Sequence, residues 1–141
     1  MKKLAVVFWT SSGNTELMAD AIVDGAKEAN AEVDKIQALQ FNMSIASEYD
    51  SIAFGCPAMG DEILEEYEFE PMFRSVLPLL TTKRFSLFGS YGWGDGEWMR
   101  QWEEVCVENG AIPLQSGIIA SYSPDESVLL ELKQLGKNLV S

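Results

Sequence analysis

Three segments carry side chains whose types and spacing could do chemistry, and each directly follows a short apolar run. The first is Thr10-Ser11-Ser12-Gly13-Asn14-Thr15, which runs into a helical pattern. Hydroxyls, an amide and a glycine stand where unbonded backbone N–H groups and the positive end of a helix dipole would point outward, a composition suited to holding phosphate. The Walker lysine and its GxxxxGK spacing are missing, which excludes a nucleoside triphosphate loop, and the lack of GxGxxG counts against a dinucleotide fold. With no Lys or Arg in the loop, only neutral donors remain, as expected for a monophosphate held without metal. A polar loop that caps a helix has the same composition, since Ser, Thr and Asn are ordinary N-cap residues. Taken alone, the loop leaves both readings open.

The second segment is Gly55-Cys56-Pro57-Ala58-Met59-Gly60-Asp61-Glu62. Gly60 permits unusual backbone angles at an exposed strand end. Met59 offers a polarisable thioether that packs well on an aromatic ligand. An ordinary turn with a surface methionine is the alternative, and Cys56 reads as a small buried apolar residue rather than a nucleophile. The third segment is Phe88-Gly89-Ser90-Tyr91-Gly92-Trp93-Gly94-Asp95-Gly96. Its glycines let the backbone approach a ligand and present N–H groups. Trp93, flanked by glycines, has little local core to join and exposes a large apolar face unless something flat stacks on it. Trp98 and Trp102 sit at helical spacing and read as core.

Composition narrows the classes further. The chain has 141 residues, 22 acidic against 10 basic, no histidine, and a formal net charge of −12. Such a surface repels nucleic acid and anionic membranes. The commonest general base and metal ligand is absent, and two cysteines make neither a disulfide scaffold nor a four-thiolate site. No run approaches the roughly 18 apolar residues of a membrane span, and the N-terminus has no signal-peptide pattern. With 47% apolar residues the chain can build a core. One domain over residues 1–141, in the cytoplasm, is the expectation.

The elements that must position the three segments alternate. Strands are expected at Leu4–Trp9, Glu32–Ile36, Ser51–Cys56, Phe85–Ser90 and Ile112–Ala120. Between Thr15 and Asn30, Leu17, Met18, Ala21, Ile22, Gly25, Ala26 and Ala29 make a helical stripe. A second helix is expected to start at Pro71 and a third to run from Gly96 to Asn109. The last is expected to follow a capping box at Ser123-Pro124-Asp125-Glu126 and to carry Val128, Leu129, Leu132, Leu135 and Leu139 at helical spacing. Leu39–Tyr49 yields no assignment. This alternation makes an α/β fold, a parallel sheet covered on both faces, and such open sheets bind ligands outside the carboxyl ends of their strands.

Together, Trp9 through Glu16, Gly55 through Glu62 and Phe88 through Met99 give the chain a clear resemblance to the short-chain bacterial flavodoxins, over its whole length and in the expected order. The resemblance implies a three-layer α-β-α sandwich with a five-stranded parallel sheet in the order 2-1-3-4-5. It implies a non-enzymatic, low-potential carrier that moves one electron at a time on noncovalently bound FMN and substitutes for ferredoxin. It implies that Thr10, Ser12, Asn14 and Thr15, with the amides from Ser11 through Gly13 to Thr15, hold the FMN phosphate, with Ser90 adding a hydroxyl. Met59, beside Ala58, and Trp93 would sandwich the isoalloxazine ring. Backbone groups of Tyr91, Gly92 and Gly94 would bond its pyrimidine edge, and Glu62 would accept from the flavin N3–H. The Gly60-Asp61 peptide would turn over on one-electron reduction and offer a carbonyl to N5. Ser11 and Ser12 depart from the glycine and threonine usual in close relatives, and neither change removes a donor.

Asp61, Glu62, Glu65, Glu66, Glu68 and Glu70 fall within ten residues with no basic residue among them. A run of this kind is usually a solvated face. At roughly 10 Å in water-like dielectric each charge costs an anionic flavin about 0.4 kcal/mol, and all six about 2.5 kcal/mol, on the order of 0.1 V. Neutralising Asp61, Glu65 and Glu66 is thus expected to raise the second one-electron potential. The acidic rim would also meet basic docking surfaces on redox partners of a monomeric carrier. Other classes fit less well. A phosphoacceptor receiver domain needs acidic residues where Trp9-Thr10 stand. FMN-dependent quinone reductases and nitroreductases are generally longer or dimeric. An FMN-binding activator dedicated to one enzyme differs from a general carrier only in a reductase-coupled assay.

Overall fold

The computed structural model describes residues 1–141. Five strands, β1 (Lys3–Phe8), β2 (Glu32–Gln37), β3 (Ser51–Gly55), β4 (Arg84–Tyr91) and β5 (Ile118–Ser121), form one parallel sheet in the order β2-β1-β3-β4-β5. Five α-helices connect and cover them: α1 (Asn14–Glu28), α2 (Met43–Ala46), α3 (Phe69–Val76), α4 (Glu97–Glu108) and α5 (Glu126–Leu139). The order is the one the resemblance implies, with helices on both faces of the sheet.

Strand alternation sorts the core into two layers. Leu4, Val6 and Phe8 of β1 face α1 and α5, while Ala5 and Val7 face the layer of α3 and α4. Central strands β1 and β3 are buried almost throughout, as parallel strands covered on both faces must be. Edge strand β2 exposes Glu32, Asp34, Lys35 and Gln37, charges and an amide that blunt a free edge. On the other side of the sheet α1 and α5 cross at backbone contact. A Cβ on Gly25 would overlap the Lys133 carbonyl, and one on Gly136 would overlap that of Ile22.

Several boundaries depart from the sequence expectation, each for a local reason. The apolar run from Ile112 forms strand only from Ile118. Pro113 has no N–H to give a ladder, Gly117 N–H goes instead to Glu103 Oε2 at 2.8 Å, and Ile112 and Leu114 are exposed. Helix α5 is capped by Asp125, whose Oδ1 accepts from Val128 N–H at 2.9 Å, so Ser123 lies outside the helix. Helix α3 begins at Phe69, and Pro71 occupies its first turn, where N–H groups lack intrahelical partners anyway. Segment 39–49 holds a 3-10 turn (Ala38–Gln40) and the four-residue α2, too short to show a period. Phe41, Ala46 and Tyr49 from this segment close the end of the core, and the Tyr49 hydroxyl donates to Asp34 Oδ2 at 2.6 Å.

Candidate functional site: a crevice at the carboxyl ends of β1, β3 and β4

Strand order reverses between β1 and β3, and all three chemical segments emerge there. Neighbouring strands bring them together through four contacts. Trp9 N–H donates to Gly55 O at 3.0 Å, and Ala58 N–H donates to Ser90 O at 2.9 Å, carrying the ladders past the strand ends. The hydroxyls of Thr15 and Ser90 are 3.0 Å apart and buried, tying the first loop to β4. Glu62, in the second loop, packs its carboxylate against Gly94 in the third, where a Cβ would have to lie.

The first loop enters α1 through Gly13, whose φ of 96° lies in the left-handed region that glycine adopts without strain. No side chain caps this helix. Gly13 N–H is bonded to Thr10 Oγ1 at 3.0 Å, which leaves the Thr10 hydroxyl proton free to donate. The N–H groups of Ser11, Ser12, Asn14, Thr15 and Glu16 have no partner within the chain, while Leu17 N–H returns to Gly13 O. A helix entry with this many unmatched donors and no side-chain cap has the chemistry to receive an anion. Of the two readings open at the level of composition, the geometry favours the cradle.

In the second loop, Met59 N–H donates to Ile63 O at 2.9 Å and Glu62 N–H donates to Met59 O at 2.7 Å, closing a tight loop over Gly60 and Asp61. Glu62 itself sits at φ 53°, a conformation usually left to glycine or asparagine. Its Oε1 is buried without any hydrogen-bond partner. A strained backbone aiming an unpartnered carboxylate oxygen at a glycine-rich loop is an arrangement poised for a donor from outside the chain.

The third loop presents Trp93 at 63% exposure, with no core to join. Tyr91 lies half-buried, its ring 5.5 Å from that of Trp98. Trp98 is core, as its spacing implies, and it also donates Nε1–H to Cys56 O at 3.1 Å, bracing the base of the crevice. Cys56 is fully buried, and burial pushes its thiol well above the ordinary range, so it supplies no thiolate. Met59 is half-buried, Gly60 and Asp61 are exposed, and Ala58 is tied into the β3–β4 ladder.

The acidic run is not uniform. Glu65 is 6% exposed, and its carboxylate accepts from the backbone N–H groups of Tyr67 (2.9 Å), Glu68 (2.7 Å) and Phe69 (2.8 Å). It caps α3 from a turn upstream, a role the sequence reading missed, because a glutamate amid five other acids carries no capping signature. Burial opposes its ionisation, yet the three N–H donors outweigh burial and hold its carboxyl below the usual carboxylate range. Glu65 is therefore the wrong residue for a test of redox electrostatics. Asp61, Glu66 and Glu68 are exposed and form no ion pair. Asp95 and Glu97 are instead matched by Arg100 at 2.9 and 2.6 Å.

Fold and crevice define a doubly wound α/β protein with a loop of unbonded N–H donors beside an exposed aromatic loop. The family model for flavodoxin matches residues 6–133. The flavodoxin of Clostridium beijerinckii is 40% identical over 124 residues, covering 88% of this chain and 90% of that protein. The flavodoxin of Megasphaera elsdenii is 40% identical over 132 residues, 94% of each chain. The solution structure of the two-electron reduced M. elsdenii flavodoxin superposes with a TM-score of 0.88 at 39% identity, covering 97% of this chain and 98% of that one. The chain belongs to the flavodoxin family. It is an electron carrier rather than an enzyme, its cofactor is FMN, and it works with redox partner proteins. Flavodoxins are themselves among the cases behind the rule that ligands bind at the switch point of such sheets.

Proposed function

We propose that residues 1–141 act as one FMN-binding unit that carries single electrons at low potential between partner enzymes in the cytoplasm, in place of ferredoxin. The observation that carries this reading is the pairing of unmet needs along one crevice: unbonded N–H groups at one end and the unpartnered Glu62 oxygen at the other. These fit FMN, which brings a phosphate to accept and an N3–H to donate. Bound FMN supplies the redox chemistry, accepting and releasing electrons singly. The chain's residues bind and tune it.

Thr10, Ser12, Asn14 and Thr15, with the amides of Ser11 through Thr15, are the groups to hold the phosphate, and Ser90 fixes Thr15 from behind. Because Gly13 N–H is already taken by Thr10, the working amides are those of Ser11, Ser12, Asn14 and Thr15. Ala58 anchors the loop that carries Met59 to one ring face, and Trp93 covers the other. Tyr91, Gly92 and Gly94 offer backbone groups to the pyrimidine edge, and Glu62 accepts from N3–H. The Gly60-Asp61 peptide is free to turn over, since neither the Gly60 C=O nor the Asp61 N–H is bonded to the backbone and open space surrounds the Gly60 Cβ position. With FMN bound, that peptide would be the group to offer a hydrogen-bond partner to N5.

The direct test is addition of FMN to the purified chain, followed by stepwise reduction. Quenching of flavin fluorescence with two separated one-electron potentials is the expected result. Failure to bind FMN overturns the reading. Replacing Trp93 by alanine is expected to weaken FMN binding by about 1–3 kcal/mol, the range found when an aromatic side chain that stacks on a base is removed. A fluorescence titration checks this, and an unchanged affinity would mean that Trp93 does not stack.

Exposed Asp61, Glu66 and Glu68 leave the rim of the crevice strongly negative, which suits a monomer docking briefly on basic surfaces of partners. Neutralising these three carboxylates as amides is expected to raise the second one-electron potential by on the order of 50 mV at low salt, taking roughly 10 Å and water-like dielectric for each. Added salt shrinks that difference. A potentiometric titration showing no shift at low ionic strength would remove the electrostatic role.

A further inference from the structure

Three non-glycine residues hold φ in the left-handed region: Asn30 at 64°, Glu62 at 53° and Tyr122 at 58°. Asn30 follows the end of α1, where asparagine is an ordinary occupant. Glu62 has the role argued above. Tyr122 has neither a helix end nor burial to account for it: a bulky residue in this region is an outlier, and its side chain is 63% exposed.

What the conformation achieves is visible in the contacts. Strands β4 and β5 pair Tyr91 with Ser121, and Tyr122 N–H then donates to Tyr91 O at 2.7 Å. The left-handed turn directly after β5 brings the ring back over Gly92. A Cβ on Gly92 would meet Tyr122 Cε1 at 3.3 Å, Cζ at 3.7 Å and the phenol oxygen at 3.9 Å. Glu62 covers Gly94 in the same loop. Both strained side chains thus close on the short glycine-bearing stretch from Tyr91 to Gly94, and strain that persists at such a place is held by its surroundings for a use.

The geometry points to Tyr122 as a positioning residue: its ring, turned over Gly92 by a left-handed backbone, holds the Gly92 end of the Tyr91–Gly94 stretch in place and shields that end from water. The inference rests on the reading in which those peptides bond the pyrimidine edge of FMN. Glycine at position 92 leaves the loop free to explore many conformations, and ordering it on binding costs affinity. A ring seated on it removes part of that cost beforehand. By excluding water, the ring also makes negative charge at the edge less favourable.

The test compares Tyr122→Gly and Tyr122→Phe with the unaltered chain. Tyr122→Gly is expected to bind FMN about tenfold more weakly, a ratio equal to about 1.4 kcal/mol. Its second one-electron potential is expected to be less negative. Amide hydrogen exchange at Gly92 and Trp93 is expected to be faster before FMN is added. Thermal stability of the FMN-free chain is expected to hold or rise, because glycine accepts this φ without strain. Tyr122→Phe is expected to match the unaltered chain in every readout. Unchanged affinity and exchange in Tyr122→Gly would overturn the proposal, as would a loss in Tyr122→Phe equal to that in Tyr122→Gly. Failure of the unaltered chain to take up FMN would defeat the binding reading instead, while amide exchange would still report whether the ring clamps the loop.

Discussion

Replacing Glu65 by alanine is expected to lower the stability of the FMN-free chain by about 3 kcal/mol at pH 7, which for a chain of this size is roughly 10 °C in Tm. The carboxylate serves three backbone N–H groups at once, and that of Phe69 is buried. Alanine leaves this last donor without water or acceptor. Glu65→Gln retains one acceptor oxygen and is expected to lose about half as much. The pH dependence has a definite sign. The Glu65 carboxyl titrates lower in the folded chain than in the unfolded one, where it lies at about 4.3. Its contribution is complete above that value and is lost as pH falls through the folded pKa. The gap between the unaltered chain and Glu65→Gln is therefore expected to be constant near neutrality and to narrow below about pH 4. Urea denaturation at several pH values measures it. A gap that widens on acidification would show that the three N–H bonds do not favour the charged form.

Replacing Glu62 by asparagine is expected to move stability and cofactor binding in opposite directions. Asparagine tolerates the left-handed region better than glutamate does, and its shorter side chain does not bury an unpartnered oxygen against Gly94. The FMN-free chain should gain about 1 kcal/mol. FMN binding should lose about 2 kcal/mol, close to thirtyfold in Kd, because a charge-assisted acceptor for N3–H has gone. Chemical denaturation gives the first quantity and fluorescence titration the second. If asparagine lowers both, the Glu62 carboxylate supports the fold rather than the cofactor. Glu65 and Glu62 stand three residues apart in one acidic run, yet one carries structure and the other waits for a ligand.

That contrast marks how far the sequence could be read. Alternation of apolar runs with helical stripes, the segment before Asn14, and a tryptophan set between Gly92 and Gly94 were enough to place the first four strands, a sheet covered on both faces and the three loops. Such signals are local: period, capping chemistry and glycine placement are written within a few neighbouring residues. The misreadings were local signals in competition. Ser123 and Asp125 both resemble helix caps, and the run from Ile112 looks like strand until Glu103, from α4, takes the Gly117 N–H.

The sequence by itself determined the fold class, which residue types stand at the ends of the first, third and fourth strands, and the chain's excess of negative charge, because these depend on residue types and their spacing. Tertiary structure alone decided which donors stay unbonded, which glutamate is buried and which is exposed, and that Glu62 and Tyr122 close on the same loop. Those properties depend on what lies across space: Glu62 meets Gly94, and Tyr122 meets Gly92, only because β3, β4 and β5 lie side by side in one sheet. Unbonded groups and strained angles arise from that packing, so no count of residue types could have revealed them.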